Sequence, residues 1–419
     1  MQQDHLPTPA LEQHAENVLR RLRAAFADLF GALEIDAETP RHVARRLGLD
    51  KSLAWKVATI AHGVDLFAIG QHLPGSGGME IFFKGAQRHL QGRAASPRAT
   101  RLIEAARSAV RDFDRLVEIH SGDRASLEIM LSSYARESPE RLGMLHRKQL
   151  FSGASYLWGV QAKVQLRADF VAPSREPGMV DIASVRGFIG LRRLRPEVPW
   201  VIDRTRIADD DARVRQPLRR EALDPDCHSD TDAPLLPEFC SKPLPELRRV
   251  PGPEGFVHFE LVPGAVGDTG AVTYVGGEVF RGVAPRYRDE RNRFGEHGQL
   301  MRTPCRLLVF DVFLHRGLGF ATPPALVVEG QPLGVPRYPS GDRERGRLPV
   351  HEIVQDLGAG PPMVQTADIS NYARIVGSVF SRVGWNASDF HGFRVRMRYP
   401  PSPTVVVLQY PLPEQPVDG

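Results

Sequence analysis

Apolar residues in the first third of the chain recur at the spacing of amphipathic helices. One such series falls on a single helical face, at Leu11, Val18, Leu22, Phe26, Leu29 and Leu33. Thr8-Pro9, Ser96-Pro97 and Ser138-Pro139 each place a capping residue before a proline, which is typical of a helix start. The pattern predicts an all-helical region that extends to about residue 150.

The pattern changes near residue 156, where apolar and polar residues begin to alternate. In SYLWGVQAKVQLRADFVAP the apolar positions run from Tyr156 and Trp158 to Phe170, and the polar positions between them are Gln161, Lys163, Gln165, Arg167 and Asp169. A period of two predicts a strand with one buried face and one solvated face. Further predicted strands are MVDIASVRGFIGL, WVIDRT, GFVHFELVP, AVTYVGGEVFRGV, CRLLVFDVFLH, ALVVEG, FRVRMRY and TVVVLQY. One helix is expected among them, at residues 368–383, with Gly384 as its C-terminal stop.

Residues 217–253 differ from both parts because they contain eight prolines among acidic and small polar residues. Proline lacks a backbone N–H, so this segment cannot hold a long helix or a central strand. We expect an extended loop or linker there, either a boundary within the C-terminal region or an insertion over its surface. The predicted class is multidomain, α plus α+β, with a helical domain at 1–150 and a larger β-rich α+β domain at 151–419.

Composition narrows the function only slightly. The net charge of +4 and the pI near 9.0 allow an anionic partner without requiring one. Three cysteines, Cys227, Cys240 and Cys305, provide no disulfide framework and suit a reducing compartment. The N-terminus lacks the pattern of a signal peptide, and no apolar run approaches the roughly 20 residues that span a bilayer. We therefore expect a cytoplasmic protein without a membrane segment.

Residues 39–63, TPRHVARRLGLDKSLAWKVATIAHG, predict two short helices joined by a tight turn. Thr39 and Pro40 can begin the first helix, Gly48 permits the reversal, and Asp50 can cap the second helix. The residues that would pack the two helices together are Val43, Ala44, Leu47, Leu49, Leu53, Ala54, Val57 and Ile60. This arrangement resembles the helix-turn-helix of bacterial transcription regulators, over residues 40–60 only.

The resemblance implies that the second helix enters the major groove of double-stranded DNA. Arg41, Arg45, Lys51 and Lys56 would then neutralise phosphates, and Ser52, Trp55 and Thr59 would supply the base discrimination. The alternative for Trp55 is that its side chain is buried against the next helix and does not face DNA. The segment is basic, and a second basic stretch follows it, with Lys84, Arg88, Arg93, Arg98 and Arg101. Solvated helix faces are the alternative explanation for both.

After this segment, Asp65 is expected to cap a helix in LFAIGQHL, and the run Met79, Phe82, Phe83, Ala86 and Leu90 predicts another helix. A β-hairpin wing through PGSGG is the alternative. The stretch GSGGMEIFFKG lacks the lysine-serine or lysine-threonine ending of a P-loop and the third glycine of a dinucleotide fingerprint. We expect it to connect helices.

Other candidate sites in the C-terminal region are weaker. Asp311 and His315 are separated by roughly 13 Å if they share a strand, so they could not touch. His258 and Glu260 share one strand face, which alternates with apolar residues and is therefore expected to face water.

Two further groupings of polar residues lie in the C-terminal region. Cys227, His228 and Cys240 lack the paired spacing of a zinc site, so no metal is predicted. Three alternating arginines, Arg394, Arg396 and Arg398, are expected to line a solvated or edge strand, or to hold an acidic ligand.

The sequence therefore predicts a DNA-binding transcription regulator, not an enzyme, with no cofactor. Its C-terminal domain would sense a small-molecule ligand, form a homodimer, or do both. Two half-sites about 34 Å apart would then be engaged by the dimer. One alternative is an interaction or assembly protein whose N-terminal helices contact protein. Another is an enzyme whose catalytic residues lie in the C-terminal region.

Overall fold

The protein is described by a computed structural model that covers residues 10–91, 97–134, 139–206, 219–227, 233–252, 256–290, 292–330, 346–360 and 363–416. Within these ranges the chain forms eight α-helices and 13 β-strands, a multidomain α+β architecture. It divides into two compact units, Met1–Leu142 and Gly143–Gly419. The predicted boundary after residue 150 falls within a helix that spans Pro139–Trp158.

The N-terminal unit is helical. Its helices are α1 (Leu11–Leu33), α2 (Pro40–Leu47), α3 (Lys51–His62), α4 (Ser76–Gln91), α5 (Pro97–His120) and α6 (Arg124–Ser132), and α7 (Pro139–Trp158) follows. Two helices begin at the predicted prolines, Pro97 and Pro139, whereas Thr8, Pro9, Ser96 and Ser138 lie outside the described residues. The segment LFAIGQHL forms only a 3₁₀ turn, at Ala68–His72. The segment PGSGG leads into α4, which begins at Ser76, and does not form a β-hairpin wing.

The core of this unit follows the helical period that the sequence shows. Leu19, Leu22, Phe26 and Leu29 of α1 are fully buried, as are Phe82 of α4 and Phe113 of α5. The rings of Phe26 and Phe82 stack with their centroids 5.5 Å apart. Burial of one apolar stripe on each helix stabilises the bundle, because apolar surface leaves water.

The C-terminal unit is built mainly from strands. These are β1 (Val160–Pro173), β2 (Met179–Arg193), β3 (Trp200–Arg206), β4 (Arg220–Ala222), β5 (Leu247–Pro251), β6 (Phe256–Leu261), β7 (Val272–Pro285), β8 (Phe294–Met301), β9 (Cys305–His315), β10 (Ala325–Glu329), β11 (Gln355–Ala359), β12 (Phe390–Arg398) and β13 (Thr404–Pro411). The predicted helix is α8 (Tyr372–Val383), which ends at Gly384 with a positive φ of 75°.

Three sheets make up this unit. The largest has seven strands in the order β11-β12-β9-β1-β2-β7-β4, and among its described strands only β1 and β9 pair in parallel. Two three-stranded sheets have the orders β10-β13-β8 and β3-β6-β5. One face of the large sheet shares a core with α8, through residues such as Phe170, Phe313 and Phe380. A second core contains residues of the large sheet, β3 and β13, such as Phe310, Trp200 and Leu408. The large sheet is therefore covered on both faces.

Several sequence predictions for this region require correction. Tyr156 and Trp158 belong to the last turn of α7 and not to a strand, because Gly159, with a φ of 68°, ends the helix before β1 begins. Alternation over so few residues does not distinguish a strand from an exposed helix end. The segments FRVRMRY and TVVVLQY lie in different sheets.

The proline-rich segment at 217–253 is not a plain linker. Its described part includes β4, at the edge of the large sheet, and β5, at the edge of the β3-β6-β5 sheet. Edge positions tolerate proline because one side of the strand donates no ladder hydrogen bonds. Among the described residues, no helix is both long and apolar enough to cross a bilayer.

Candidate functional site

The segment at residues 39–63 forms α2 and α3, joined by a three-residue turn. Gly48 adopts a φ of 66°, and the N–H of Leu49 donates to the carbonyl oxygen of Ala44 over 2.9 Å. One carboxylate oxygen of Asp50 accepts from the N–H groups of Ser52 and Leu53, at 2.8 and 2.9 Å. This double hydrogen bond defines the start of α3, as the sequence predicts.

Thr39 differs from its predicted role. Its hydroxyl donates to Asp36 over 2.8 Å and makes no capping hydrogen bond with α2. Pro40 alone marks the start of that helix, because its fixed φ suits the first helical position.

The inner side of α3 is completely packed. Ala54, Val57, Ala58 and Ile60 have no exposed surface, and Leu53 retains only 7%. Val43 and Leu47 of α2 are buried in the same core. The predicted packing residues therefore hold the two helices together and fix which side of α3 remains open.

The outer side of α3 carries the five residues that the sequence places in a groove. Lys51, Ser52 and Trp55 are exposed, and Lys56 and Thr59 are partly buried. The indole of Trp55 keeps 47% of its surface exposed and meets the ring of His72 edge-on, with the centroids 4.9 Å apart. Trp55 therefore lies at the surface and not in the core.

This segment carries four basic residues that the sequence assigns to phosphate contacts. Among the described residues, no carboxylate forms an ion pair with Arg41, Arg45, Lys51 or Lys56. Arg88 of α4 reaches the turn, since a Cβ atom on Gly48 would lie 3.9 Å from its guanidinium. Cations that form no ion pair with a described carboxylate are suited to bind an anion.

Thr59 has a more restricted hydrogen-bonding capacity than its exposure suggests. Its hydroxyl donates to the carbonyl oxygen of Trp55, one turn earlier, over 2.8 Å. The hydroxyl proton is therefore used within the helix, and only the oxygen lone pairs and the methyl group remain for another molecule.

Two of the predicted acid-base candidates, Asp311 and His315, lie in different surroundings. Asp311 is fully buried and accepts from Arg394 at 2.8 and 2.7 Å and from the Tyr372 hydroxyl at 2.7 Å. The Nδ1 atom of His315 accepts from the N–H of Gly317, and its Nε2 atom lies 4.0 Å from Asp389. The two side chains do not form a pair.

The other candidate pair, on β6, is partly covered. Glu260 forms an ion pair with Arg248 at 2.7 Å. Burial lowers the pKa of His258, and the nearby positive charges of Arg204 and Arg302 lower it further. The nearby carboxylate of Glu260 acts in the opposite direction, but burial and the two arginines outweigh it.

Each cysteine of the candidate metal grouping contacts a backbone carbonyl oxygen. The Cys227 thiol contacts the carbonyl oxygen of Ala233 at 3.2 Å, and the Cys240 thiol contacts that of Val275 at 3.4 Å. His228 lies outside the described residues.

The three alternating arginines of β12 have separate environments, which corrects the prediction of a single solvated face. Arg394 is buried against Asp311, whereas Arg396 and Arg398 are exposed. Strand β12 is not at an edge, because it lies between β11 and β9. Arg396 pairs with Asp368, and these residues line a groove with Arg398 and Lys163.

A buried polar network on β1 was not predicted. Asp169, which is fully buried, accepts from the Ser184 hydroxyl at 2.6 Å and from Arg167 at 2.9 Å. His297 of β8 lies 3.1 Å from the same carboxylate. Burial alone would raise the pKa of Asp169, but Arg167 and the hydrogen bond with His297 outweigh this effect, so the pKa lies well below its usual range.

A second buried polar network lies next to the first, around Arg186, which pairs with Arg167 in the register of β1 and β2. Arg186 of β2 forms ion pairs with Asp203 of β3 and Glu278 of β7, and the hydroxyl of Tyr274 donates to Asp203. Arg220 pairs with Glu278 at 2.7 Å. Burial opposes the charge on Arg186, but Asp203 and Glu278 outweigh it and raise its pKa. These charges connect β3 to the large sheet, and within that sheet they join β4 to β7.

The sequence did carry a signal for both networks. Gln165, Arg167 and Asp169 alternate along β1, and the register pairs Arg167 with Arg186 and Asp169 with Ser184. Alternation of this kind predicts a solvated face. The small sheets cover that face, and their position depends on contacts that are distant in sequence.

Comparisons with known proteins give no family. No family model matches the chain, and no curated protein matches it. Among solved structures, a chain from Parabacteroides distasonis ATCC 8503, described as a "putative protease", is similar at 8% identity with a TM-score of 0.25. The match covers 61% of this chain and 41% of the other. A similarity of this size carries no argument about fold or function.

Proposed function

We propose that this protein is a DNA-binding transcription regulator whose α2 and α3 act as a helix-turn-helix. The observation that supports this proposal best is the open side of α3, which carries Lys51, Ser52 and Trp55 at the surface. Its opposite side is fully packed, so the helix has one face available for a duplex. A major groove about 12 Å wide admits a helix presented in this way.

Phosphate contacts supply most of the affinity in this proposal. Arg41 and Arg45 of α2 and Lys51 and Lys56 of α3 are free of acidic partners among the described residues, so no ion pair must break before they bind phosphates. Each neutralised phosphate releases condensed counterions, which makes binding dependent on salt.

Base contacts come from the middle of α3. Ser52 can donate to or accept from a base edge, and the Trp55 indole can contact a thymine methyl group. Thr59 acts through its methyl group and as an acceptor, since its hydroxyl proton is held by the carbonyl of Trp55. This small set of contacts provides modest discrimination, so two copies on adjacent half-sites are part of the proposal.

The C-terminal unit completes the proposal as the part that senses a small molecule, joins two copies, or does both. A regulator of this kind acts on the chromosome and therefore works in the cytoplasm. The DNA-binding step is the one that can be tested first, because it makes a quantitative prediction about salt.

The test is a titration of a 30-base-pair random-sequence duplex with the full chain at about 50 and 200 mM salt, the range over which phosphate contacts dominate binding. The variant is Lys51→Ala with Lys56→Ala. The control is Lys148→Ala with Lys163→Ala, which removes the same charge from exposed positions of the C-terminal unit. We expect the first pair to reduce the slope of log affinity against log salt by about 1.8 per bound copy, at about 0.9 per lost phosphate contact.

Three outcomes decide the proposal. If the α3 double variant alone loses DNA affinity and salt dependence, the result supports the assignment of α3 to the groove. If both double variants lose the same DNA affinity, overall charge and not α3 attracts the duplex. Binding by the α3 variant that equals the parent would assign the open face to a different partner, such as a protein.

A further inference from the structure

A cavity of about 270 Å³ lies within the C-terminal unit, beside the polar face of β1. Side chains from β1, β2, β3 and β7 line it, together with residues at the end of β8. The polar residues of its wall include Gln165, Arg167, Arg186, Asp203, Arg204, Glu278, Gln299 and Arg302. A cavity of this size is near the lower limit for small-molecule sites, which begin at about 300 Å³.

Counted over the described residues, the charges in the wall do not balance. Asp169 neutralises Arg167, and the two carboxylates of Asp203 and Glu278 neutralise Arg186 and Arg220. No carboxylate among the described residues forms an ion pair with either Arg204 or Arg302. Two positive charges in the wall therefore remain without a carboxylate ion pair from the residues that the structure describes.

These two arginines are close enough to affect each other. Burial lowers the pKa of Arg204 to about 10, and the charges of Arg302 and Arg186 contribute to the decrease. The Arg204 guanidinium lies over the ring of Phe256, 5.5 Å from its centroid, which holds it at the cavity wall. Two partly buried guanidinium groups that repel each other form a site that an anion would stabilise.

Gln165 adds a feature that points to a second chemical group. The residue is 4% exposed and lines the cavity, and its amide nitrogen donates to the carbonyl oxygen of Leu300 at 3.3 Å. Its Oε1 atom is buried and has no donor among the described residues. A buried acceptor without a donor is unfavourable, so rotation of the Gln165 amide toward the cavity that this residue lines would let a ligand hydroxyl group satisfy it.

We propose that this cavity binds a small phosphate monoester that carries a hydroxyl group. A phosphate monoester has a charge of about −1.5 to −2 at neutral pH, which matches two unbalanced arginines better than one carboxylate would. Arg204 and Arg302 would hold the phosphate oxygens, and Gln165 would accept from the ligand hydroxyl. This proposal does not depend on DNA binding by α3.

The experiment is calorimetric titration of the full chain with three probes: sn-glycerol 3-phosphate, inorganic phosphate and glycerol. The variants are Arg204→Gln and Arg302→Gln. Arg249→Gln serves as the matched control, because it removes an exposed arginine of the same unit. Arg204→Lys keeps the charge but removes the planar fork, and Gln165→Met removes the acceptor while keeping a similar shape.

We expect saturable binding of sn-glycerol 3-phosphate, weaker binding of inorganic phosphate and none of glycerol. Arg204→Gln and Arg302→Gln should each weaken binding about tenfold or more, since a charged hydrogen bond is lost. Arg204→Lys should weaken it several-fold, and Gln165→Met should affect sn-glycerol 3-phosphate but not inorganic phosphate.

Melting temperatures of the unliganded variants provide a second measurement. Loss of either guanidinium relieves a repulsion, so Arg204→Gln and Arg302→Gln should melt no lower than the parent. The proposal is overturned if neither phosphate binds, if both arginine variants bind like the parent, or if Arg249→Gln loses as much affinity as they do. It is also overturned if both arginine variants melt well below the parent, because the two charges would then be structural.

Discussion

A Cβ atom added to Gly85 of α4 would stand 2.6 Å from the carbonyl oxygen of Leu47, the last residue of α2. The two helices therefore touch through main-chain atoms, immediately before the turn at Gly48. Glycine is required at this point because any side chain would push α4 away from the turn.

Gly85→Ala should consequently destabilise the N-terminal unit by about 1 to 3 kcal/mol, the usual range for overpacking. Gly77→Ala is the control in the same helix, where a Cβ atom would meet nothing within 4 Å. That substitution should stabilise the unit by about 0.5 to 1 kcal/mol through helix propensity. Hydrogen exchange of the peptides that cover α2, α3 and α4 measures both effects. If the two variants change exchange in the same direction, the contact with Leu47 is not limiting.

Asp50→Ala should lower the stability of α3 by about 1 kcal/mol, because two N–H groups lose their acceptor. Asp50→Asn keeps a capping oxygen and should retain most of that stability. Amide exchange of Ser52 and Leu53, measured by nuclear magnetic resonance or by fragmentation mass spectrometry, reports the cap directly. Equal protection of these amides in all three proteins would show that the cap contributes little.

The elements that the sequence predicts well are those with local signals. Helix α5 begins at Pro97, and α8 ends before Gly384, because proline and glycine restrict or permit particular backbone angles wherever they occur. The packing residues of α2 and α3 are likewise determined by spacing alone, so Ala54 and Val57 are buried as expected. The strands that were missed are short or polar, such as β8, which has glycines at Gly295 and Gly298.

The polar face of β1 shows why the candidate cavity was not predicted. Alternation identifies which side of a strand Gln165 and Asp169 share, but it does not reveal what covers that side. The covering residues, such as Asp203 and His297, come from strands that are distant in sequence. The exposed side of α3 was predicted because the apolar period within the helix itself identifies the opposite side as the buried one.

Asp169 should make the C-terminal unit sensitive to acid. Its pKa in the folded state lies below the unfolded value of 3.8, so its contribution to stability is present above about pH 4 and is lost as the pH falls further. The asparagine of Asp169→Asn does not take up a proton in this range. The variant should therefore lose less stability between pH 6 and pH 3 than the parent. At neutral pH the variant should be less stable by about 3 kcal/mol, because Arg167 loses a buried partner.

Urea unfolding followed by tryptophan fluorescence measures this difference, since Trp158, Trp200 and Trp385 all lie in the C-terminal unit. Parallel curves of stability against pH for the parent and Asp169→Asn would contradict the assignment of a depressed pKa.

Arg394 and Arg396 allow the same substitution to be compared in two environments on one strand. The Arg394 side chain is 3% exposed and binds Asp311, whereas that of Arg396 is 50% exposed and binds Asp368. Arg394→Met should destabilise the C-terminal unit by about 3 to 5 kcal/mol, because Asp311 remains buried without its counterion. Arg396→Met should change stability by less than about 1 kcal/mol, because water already screens that pair.

The carbonyl oxygens of Val364 and Gln365 also accept from Arg394, so their segment should exchange faster in Arg394→Met alone. Urea unfolding of the two variants, with hydrogen exchange at residues 363–368, measures both effects. Together they separate the stability contributed by the Arg394–Asp311 ion pair from the general effect of removing a positive charge. Similar destabilisation by both substitutions would mean that the difference in burial between the two arginines does not determine their contributions. A small effect of Arg394→Met, with the 363–368 segment unchanged, would instead show that the neighbouring Tyr372 hydroxyl is sufficient to hold Asp311.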